Sequence, residues 1–270
     1  MTTTTRSTAG GAGVLLRSWR EQRRLSQLDL AHLAGTSTRH LSYLETGRSR
    51  PSREMVLRLG ETMDVPLSER NRMLLAAGHA PAYADARQDR AATRYLLEVL
   101  DLALAAYDPW PALVLDAQFD VVATNHAVDR MMLLVDADLL DPPVNVVRVM
   151  LHPRGLSQYV TNLAAWRGHL LRQVRQHAAA APSADLDALL REAEGYPVPP
   201  SQEMVGTGPT FALPLELDIQ GQQLRMYSTI ATFGTPLDVA ASELAIETFL
   251  PADEATRQWL AAACIRGSGS

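Results

Sequence analysis

SQLDLAHLAGTSTRHLSYLETGRSRP, residues 26–51, is the stretch that decides the fold of the N-terminal part of this chain. Its pattern predicts two short helices joined by a tight turn. Ser26 and Ser37 stand where a hydroxyl can cap each helix, and Gly35 stands where a left-handed residue ends the first one. Apolar residues recur at helical spacing in both segments. A helix, a glycine turn and a second helix at this spacing form the helix-turn-helix layout.

The second helix of this pair leaves polar side chains outside its stripe of Leu41 and Leu44. In this motif its N-terminal end enters the major groove, where hydrogen-bonding side chains meet base edges. Arg39 is the best candidate for a bidentate contact to guanine, and the Gln27 amide can brace a phosphate. The predicted DNA-contacting residues are Gln27, Ser37, Thr38, Arg39, His40, Ser42, Tyr43, Arg48, Arg50 and Arg53. The alternative is an ordinary helical hairpin with a solvated polar face.

The same stretch resembles the lambda-repressor-like (XRE) DNA-binding family. The matching residues are Ser26-Gln27, Leu30-Ala31, Gly35, Ser37, Leu41-Ser42, Leu44-Glu45, Gly47 and Pro51. In that family an Arg of the first helix and the Glu that ends the third form a buried pair, so the resemblance implies that Arg20 and Glu45 touch. It also implies that Thr38 and Arg39 read bases in a double-stranded operator.

The charge of the chain is unevenly distributed. Residues 1–80 hold 12 Arg and 7 acidic residues, whereas residues 81–270 hold 13 Arg and 23 acidic residues. The first part therefore carries +5 and the remainder −10, within a net charge of −5. A basic end joined to an acidic body suits a protein that presents only that end to nucleic acid.

Composition also argues against several classes of protein. Cys264 is the single cysteine, which excludes an internal disulfide framework and a cysteine-rich zinc site. We find no apolar run long enough to span a bilayer and no signal-peptide core after the N-terminal MTTTTRSTAG. We therefore expect a soluble, cytoplasmic protein with no membrane partner.

Three further helices complete an all-α, five-helix helix-turn-helix domain, which we predict over residues 14–80. The first runs from about Val14 to Arg24, the fourth follows the N-cap Ser52, and the fifth begins at Ser68. Residues 1–13 are predicted to be a disordered tail and residues 81–93 a linker. The predicted buried side chains include Leu15, Leu16, Trp19, Met73, Leu74 and Leu75, and those predicted to be free for phosphates or solvent are Arg17, Arg23 and Arg24.

Residues 94–266 are predicted to form an α+β domain, in which an antiparallel sheet has helices on one face. ALVLDAQFDVVATN, residues 112–125, predicts a β-hairpin with a turn of about three residues. Period-two alternation predicts strands over residues 211–219 and 222–233, and a strand over about 243–250 completes a meander. Short helices are predicted after Asn125, near residues 144–151, 157–177 and 184–194, and after Asp253, with residues 201–209 as a flexible connection.

A helix of about Arg90 to Tyr107 precedes the hairpin. Leu96, Leu100, Ala103 and Tyr107 recur along it at helical spacing. This stripe can form the seam of a homodimer, or it can pack on its own domain.

The order of elements in this second domain resembles a PAS-like domain, and several segments resemble the ligand-binding domain of MmyB-like transcription regulators. These segments are residues 37–59, PALVLDAQFDVVATN, LHPRGL, STIATFGTPLDV and ELAIETFLPADE. The resemblance implies a PAS-like sensor, with a fatty-acid-like ligand known for one representative.

Residues for such a ligand are found on one helix and one strand. An arginine can meet a carboxylate head while apolar side chains line a tail. The candidates are Asn162, Trp166, His169, Leu170, Arg172, Tyr227, Thr229 and Thr232. The alternative is that Trp166 and Leu170 are core residues and that the arginines form a solvated face.

The sequence carries no motif of catalysis or of a cofactor. The seven histidines do not show HExxH spacing, and no GxSxG elbow, phosphate-binding loop or dinucleotide fingerprint is present. We weigh three hypotheses: a regulator with a ligand sensor, a DNA-binding protein whose second domain only dimerises or recruits a partner, and an enzyme with an accessory helix-turn-helix. The third needs a converging polar cluster, for which we find no candidate.

Overall fold

The computed structural model describes residues 9–181, 183–198, 212–234 and 236–265. The predicted tail up to residue 8 and the predicted connection 201–209 lie outside the described residues. The chain divides into two compact units. The first comprises Met1–Gln88 with Thr235–Ser242, and the second comprises Asp89–Gly234 with Glu243–Ser270.

The helices and strands are numbered along the chain. The helices are α1 (Ala9–Gln22), α2 (Gln27–Leu33), α3 (Thr38–Glu45), α4 (Arg53–Thr62), α5 (Leu67–Ala76), α6 (Arg90–Ala105), α7 (His126–Met132), α8 (Val146–Leu151), α9 (Leu163–Ala180), α10 (Ala184–Glu194), α11 (Val239–Ser242) and α12 (Glu254–Ile265). The strands are β1 (Ala112–Leu115), β2 (Val121–Thr124), β3 (Pro214–Ile219), β4 (Gln222–Thr232) and β5 (Ala245–Pro251). Short 3-10 turns cover Ala86–Gln88, Ala137–Leu140 and Leu156–Gln158.

Helix α1 begins at Ala9, so the prediction of a tail as far as residue 13 was wrong. The three glycines of this first turn and a half disfavour a helix locally. Tertiary packing reverses that preference, because Ala12 and Leu16 are fully buried in the core of the first unit. Gly13 is also buried and lies against the C-terminal end of α3.

The local signals of the helix-turn-helix are present. The Ser26 hydroxyl accepts from the Asp29 amide while the Asp29 carboxylate accepts from the Ser26 amide, which makes a capping box. The Ser37 hydroxyl accepts from the His40 amide at the start of α3. Gly35 has a φ of +62°, a left-handed conformation that glycine adopts without strain.

Two further predictions, both for side chains of the first unit, were wrong. Arg23 is not free, because its Nε and Nη2 donate to the carbonyl oxygens of Met63 and Asp64, each at 2.8 Å. Those carbonyls follow α4, where the last turn of a helix leaves acceptors without helical donors. Leu75 was predicted to be buried but is 58% exposed, since α5 turns Met73 and Leu74 inward.

The segment predicted as a linker is partly built into the first unit. The Asn71 side chain donates to the Tyr83 carbonyl oxygen and accepts from the Ala82 and Tyr83 amides. The Val239 amide donates to the Ala84 carbonyl oxygen at 2.8 Å, and Val239 is buried. Residues 236–242, which lie in sequence between β4 and β5, therefore complete the first unit.

The second unit is built on a five-stranded antiparallel sheet in the order β2-β1-β5-β4-β3. Its inner face carries Leu113, Leu215, Leu217, Met226 and Phe249, which form one core with residues of α7, α8, α9, α10 and α12. The other face carries a smaller cluster. There Leu100 and Leu104 of α6 pack on Ala112 and Val114 of β1, joined by part-buried Leu96 and Tyr107.

The stripe on α6 therefore packs on its own domain. Of the two alternatives that the sequence left open, the structure shows contact between this stripe and the sheet.

The hairpin turn is longer than the expected length of about three residues, because β1 ends at Leu115 and β2 begins at Val121. Asp116 accepts from the Gln118 and Asp120 amides, and Phe119 is buried with a φ of +65°.

Candidate functional site

A buried ion pair holds the helix-turn-helix in place. Arg20 Nε donates to Glu45 Oε1 at 2.6 Å and Arg20 Nη2 donates to Glu45 Oε2 at 2.9 Å. This bidentate geometry joins α1 to the last residue of α3, as the family resemblance implies. Arg20 Nη1 also donates to the Leu25 carbonyl oxygen, and the Gln27 amide nitrogen donates to Glu45 Oε2 at 2.8 Å. Gln27, which we predicted to contact a phosphate, therefore braces Glu45 in the described structure.

The outward face of α3 presents one arginine held by one tyrosine. Arg39 is exposed and its guanidinium lies 5.4 Å from the centre of the Tyr43 ring. Its Nε donates to the Tyr43 hydroxyl at 3.0 Å. Among the described residues its two terminal nitrogens have no hydrogen-bond partner, so they remain able to donate to a base edge. The other predicted residues of this face, Thr38, His40 and Ser42, are half-buried, and Ser37 is occupied as the N-cap.

The arginines that follow α3 divide into two groups. Arg48 is exposed and lies 6.0 Å from the Tyr43 ring centre, so it stands on the same side as Arg39. Arg53 is exposed in the first turn of α4. Arg50 has a different position, because its Nε donates to the Ala77 carbonyl oxygen at 2.5 Å. The structure thus uses Arg50 to cap α5, which weakens its assignment as a phosphate contact.

The second unit contains a small apolar cavity between its helices and the inner face of the sheet. Its volume is about 30 Å³ and it is bounded by the residues Pro111, Leu113, Val128, Met131, Met132, Val146, Val149, Met150, Leu156, Leu215 and Phe249. The three methionines have flexible, unbranched side chains that adapt to irregular shapes. Sequence reasoning missed these residues, although the methionine pair at 131–132 was a signal.

The residues predicted to bind a ligand do not line this cavity, and they are not brought together at one place. Trp166 and Leu170 are buried in the core, whereas Arg172 is exposed. Asn162 is occupied structurally, since its amide nitrogen donates to the Pro214 carbonyl oxygen and its Oδ1 accepts from the Glu216 amide. His169 is half-buried, and its pKa is lowered by burial and then by the charge of Arg172.

The three predicted strand residues lie on two faces of the sheet. Tyr227 and Thr229 alternate with Met226, whose side chain joins the inner core, so they lie on the opposite face. A site between the inner face of the sheet and the helices that pack on it therefore cannot include them. Thr232 pairs with Ala245 on the inner face but is exposed.

Among the described residues, no three His, Cys, Asp or Glu side chains converge to hold a metal ion. Within the same residues, no helix is both long and apolar enough to cross a bilayer.

The capped helix pair, the buried Arg–Glu pair and the exposed α3 define the class of helix-turn-helix proteins. A family model described as a helix-turn-helix domain matches residues 12–73. A second model, described as the MmyB-like transcription regulator ligand binding domain, matches residues 97–263. The chain belongs to this MmyB-like transcription regulator family, and the resemblance seen in the sequence is confirmed.

The relatives found are similar to about a quarter of this chain. Uncharacterized HTH-type transcriptional regulators of Mycobacterium bovis and Mycobacterium tuberculosis are 39% identical over 66 residues, which is 24% of this chain. The match spans 26% of the length of those curated relatives. The crystal structure of the clp gene regulator ClgR from C. glutamicum is 25% identical and covers 26% of this chain and 88% of that chain. Its TM-score is 0.24, which is too low to support an argument about the fold.

Proposed function

We propose that this protein is a cytoplasmic transcription regulator that binds a double-stranded DNA operator through α3 and its flanking arginines. The observation that carries the proposal is the position of Arg39. It is exposed near the N-terminal end of α3, on the side away from buried Leu41 and Leu44, and Tyr43 orients it. In helix-turn-helix proteins that end of the second helix meets base edges in the major groove.

We further propose that it binds the operator as a homodimer. Helix-turn-helix proteins commonly read two half-sites separated by about one turn of DNA, with the symmetry of the site matching that of the protein. Sedimentation of the purified chain, free and with an operator duplex, tests this directly. A single copy on a full operator would contradict it.

The second domain, in this proposal, is a PAS-like sensor for a small molecule with a long apolar part, of which a fatty acid is one example. The strand order and the helices packed on the inner face support the PAS-like assignment. The methionine-lined cavity supports an apolar occupant, because such side chains can move aside for it. The ligand can shift DNA affinity only by the difference in its own affinity for the two states of the protein.

Native mass spectrometry of the protein as purified tests the sensor proposal. The released small molecule is then identified after denaturation. We expect about one apolar molecule per chain. A dimer that carries no small molecule, and that binds none of a panel of fatty acids, alcohols and amides, would favour the alternative in which this domain serves only dimerisation or recruitment.

Arg39→Ala is expected to weaken binding to the specific operator by about 1–3 kcal/mol and to relax selection at one base position. The reason is that a bidentate arginine contact to guanine carries both affinity and base discrimination. Binding-site selection on randomised duplexes measures both effects. Arg72→Ala is the matched control, since Arg72 is an exposed arginine of α5 that pairs with Glu69. An unchanged preference at every base would reject the assignment of Arg39.

Arg48→Ala is expected to act differently from Arg39→Ala. If Arg48 meets a phosphate, its loss weakens binding to all sequences alike and reduces the slope of log affinity against log salt by about 1. Titrations of specific and unrelated duplexes at several salt concentrations give this slope. A change confined to the specific duplex would instead make Arg48 a base-reading residue.

A further inference from the structure

Two buried polar groups of the second unit are not explained by packing of the core. Glu247 of β5 is 5% exposed and lies on the inner face of the sheet, where it pairs across the strands with Leu113. Trp166 of α9 is 1% exposed. A buried carboxyl and a buried indole N–H each cost free energy unless they are hydrogen-bonded, so their presence calls for a partner.

Glu247 is only partly satisfied by the residues that the structure describes. Among these, its carboxyl receives one hydrogen bond, from the Ser228 hydroxyl to Oε1 at 2.5 Å, and forms no ion pair. Burial raises the pKa of Glu247, and the Ser228 hydroxyl opposes that shift. The uncharged form is therefore favoured by its surroundings, and that form has an O–H group to donate.

Trp166 adds a donor beside the same strand. In the described part of the chain, its Nε1 is buried and has no hydrogen-bond partner. Its ring centre lies 6.4 Å from that of Phe249, the next inner-facing residue of β5 after Glu247. Phe249 also lines the apolar cavity. Both buried polar residues thus adjoin Phe249, which forms one wall of that cavity.

The charges near this place do not favour an anion. His169 lies 5.3 Å from the Trp166 ring, and its lowered pKa favours the neutral imidazole. Arg172, whose charge acts on His169, is exposed to solvent, where its attraction for a buried anion is weakened. An ionised carboxylate placed next to Glu247 would be buried beside an acidic group with no described cation in contact.

We propose that Glu247, Ser228 and Trp166 form the polar end of the ligand site, and that they select an apolar molecule whose head is uncharged and forms hydrogen bonds, such as a long-chain alcohol or primary amide. This inference rests on the proposed sensor function. The head oxygen accepts from the indole N–H of Trp166, and the Glu247 carboxyl exchanges a second hydrogen bond with the head. The apolar chain of the ligand enters the methionine-lined cavity, whose flexible methionine side chains move aside to admit it.

Binding of decanol, decanamide and decanoate to the full chain tests the inference, because these probes share one chain and differ in the head. Isothermal titration near neutral pH, where decanoate is ionised, gives the dissociation constants. We expect the alcohol and the amide to bind about 10-fold more tightly than decanoate, since burying an unpaired charge costs more than burying a paired neutral group.

Substitutions at Trp166 and Glu247 then test where the polar head of the ligand binds. Trp166→Phe retains the ring but removes the N–H, and Glu247→Ala removes the carboxyl; each is expected to weaken decanamide binding by about 10-fold. Glu247→Gln retains an uncharged hydrogen-bonding group, so decanamide binding is expected to stay within about 3-fold of wild type. Circular dichroism of each variant checks the fold, and Ser228→Ala provides a milder substitution at the same place.

The possible outcomes distinguish a failure of this inference from a failure of the proposed sensor function. Tighter binding of decanoate, lost in Arg172→Ala, would overturn the inference and assign the head to Arg172, while leaving a ligand-binding domain. Decanamide binding that is unchanged in Trp166→Phe and Glu247→Ala would also overturn it. If no probe binds and the protein purifies without a small molecule, the sensor function itself is rejected.

Discussion

Glu45→Ala is expected to lower the free energy of unfolding of the first unit by about 3 kcal/mol without changing which bases the protein prefers. The Glu45 side chain is almost fully buried, and its carboxylate accepts two hydrogen bonds from Arg20 and one from Gln27. Its removal leaves the Arg20 guanidinium buried, with the Leu25 carbonyl oxygen as its described hydrogen-bond partner and the half-exposed Glu21 carboxylate 3.7 Å from Nη2. Breaking such a pair costs more than the pair itself contributes, because the buried charge that remains loses its bidentate partner.

Thermal melts and hydrogen exchange of α1 and α3 in the full chain measure this loss. Arg17→Ala is the matched control, because it removes the exposed pair of Arg17 and Glu21 and leaves the contacts of Arg20 in place. Exposed pairs contribute about 0.5 kcal/mol or less at this spacing, so the control is expected to melt close to wild type. Glu45→Gln retains an acceptor and should fall between the two. Exchange protection in Glu45→Ala equal to wild type would mean that the pair does not hold the helices together.

Gly13→Ala is expected to destabilise the first unit by about 2 kcal/mol, although alanine is the better helix former. A Cβ at this position would lie 2.4 Å from the Leu44 carbonyl oxygen and 2.7 Å from that of Glu45. Both atoms belong to the backbone of α3, so α1 and α3 must move apart. The gain in helix propensity is about 1 kcal/mol, whereas overpacking costs about 3 kcal/mol, and the clash therefore decides the sign.

Gly11→Ala provides a control in the same helix with the opposite expected sign. A Cβ at Gly11 would meet the Cβ of Ala76 at 3.8 Å, which is an ordinary contact. This variant should therefore be as stable as wild type or more stable by up to about 1 kcal/mol. Denaturant unfolding of the two variants side by side measures the difference. If Gly13→Ala proved as stable as Gly11→Ala, the close approach of α1 to α3 would be refuted.

Gly13→Ala also tests the link between stability and DNA binding. The clash falls on Leu44 and Glu45, at the end of the helix proposed to read bases. Operator affinity should then fall while the substituted residue itself stays remote from the proposed DNA-facing side. A variant that is folded and destabilised but binds the operator as wild type does would show that α3 keeps its position when α1 moves.

The sequence by itself determined the features that depend on a few neighbouring residues. Ser26 and Ser37 cap their helices as predicted, and Gly35 adopts the predicted left-handed conformation. The apolar residues that alternate with polar ones along β3 and the first part of β4 lie on one face of the sheet. These signals are readable because capping and periodicity act over distances of two to four residues along the chain.

Only the tertiary structure decided which residues meet across long distances. The start of α1 at Ala9, the capping of α4 by Arg23 and the inclusion of residues 236–242 in the first unit all depend on partners remote in sequence. In the sequence, Glu247 is one polar residue within a predicted strand. Its burial is determined by the helices that pack on the inner face of the sheet. The physical reason is that burial and the choice of hydrogen-bond partner are properties of packed surfaces, to which distant parts of the chain contribute together.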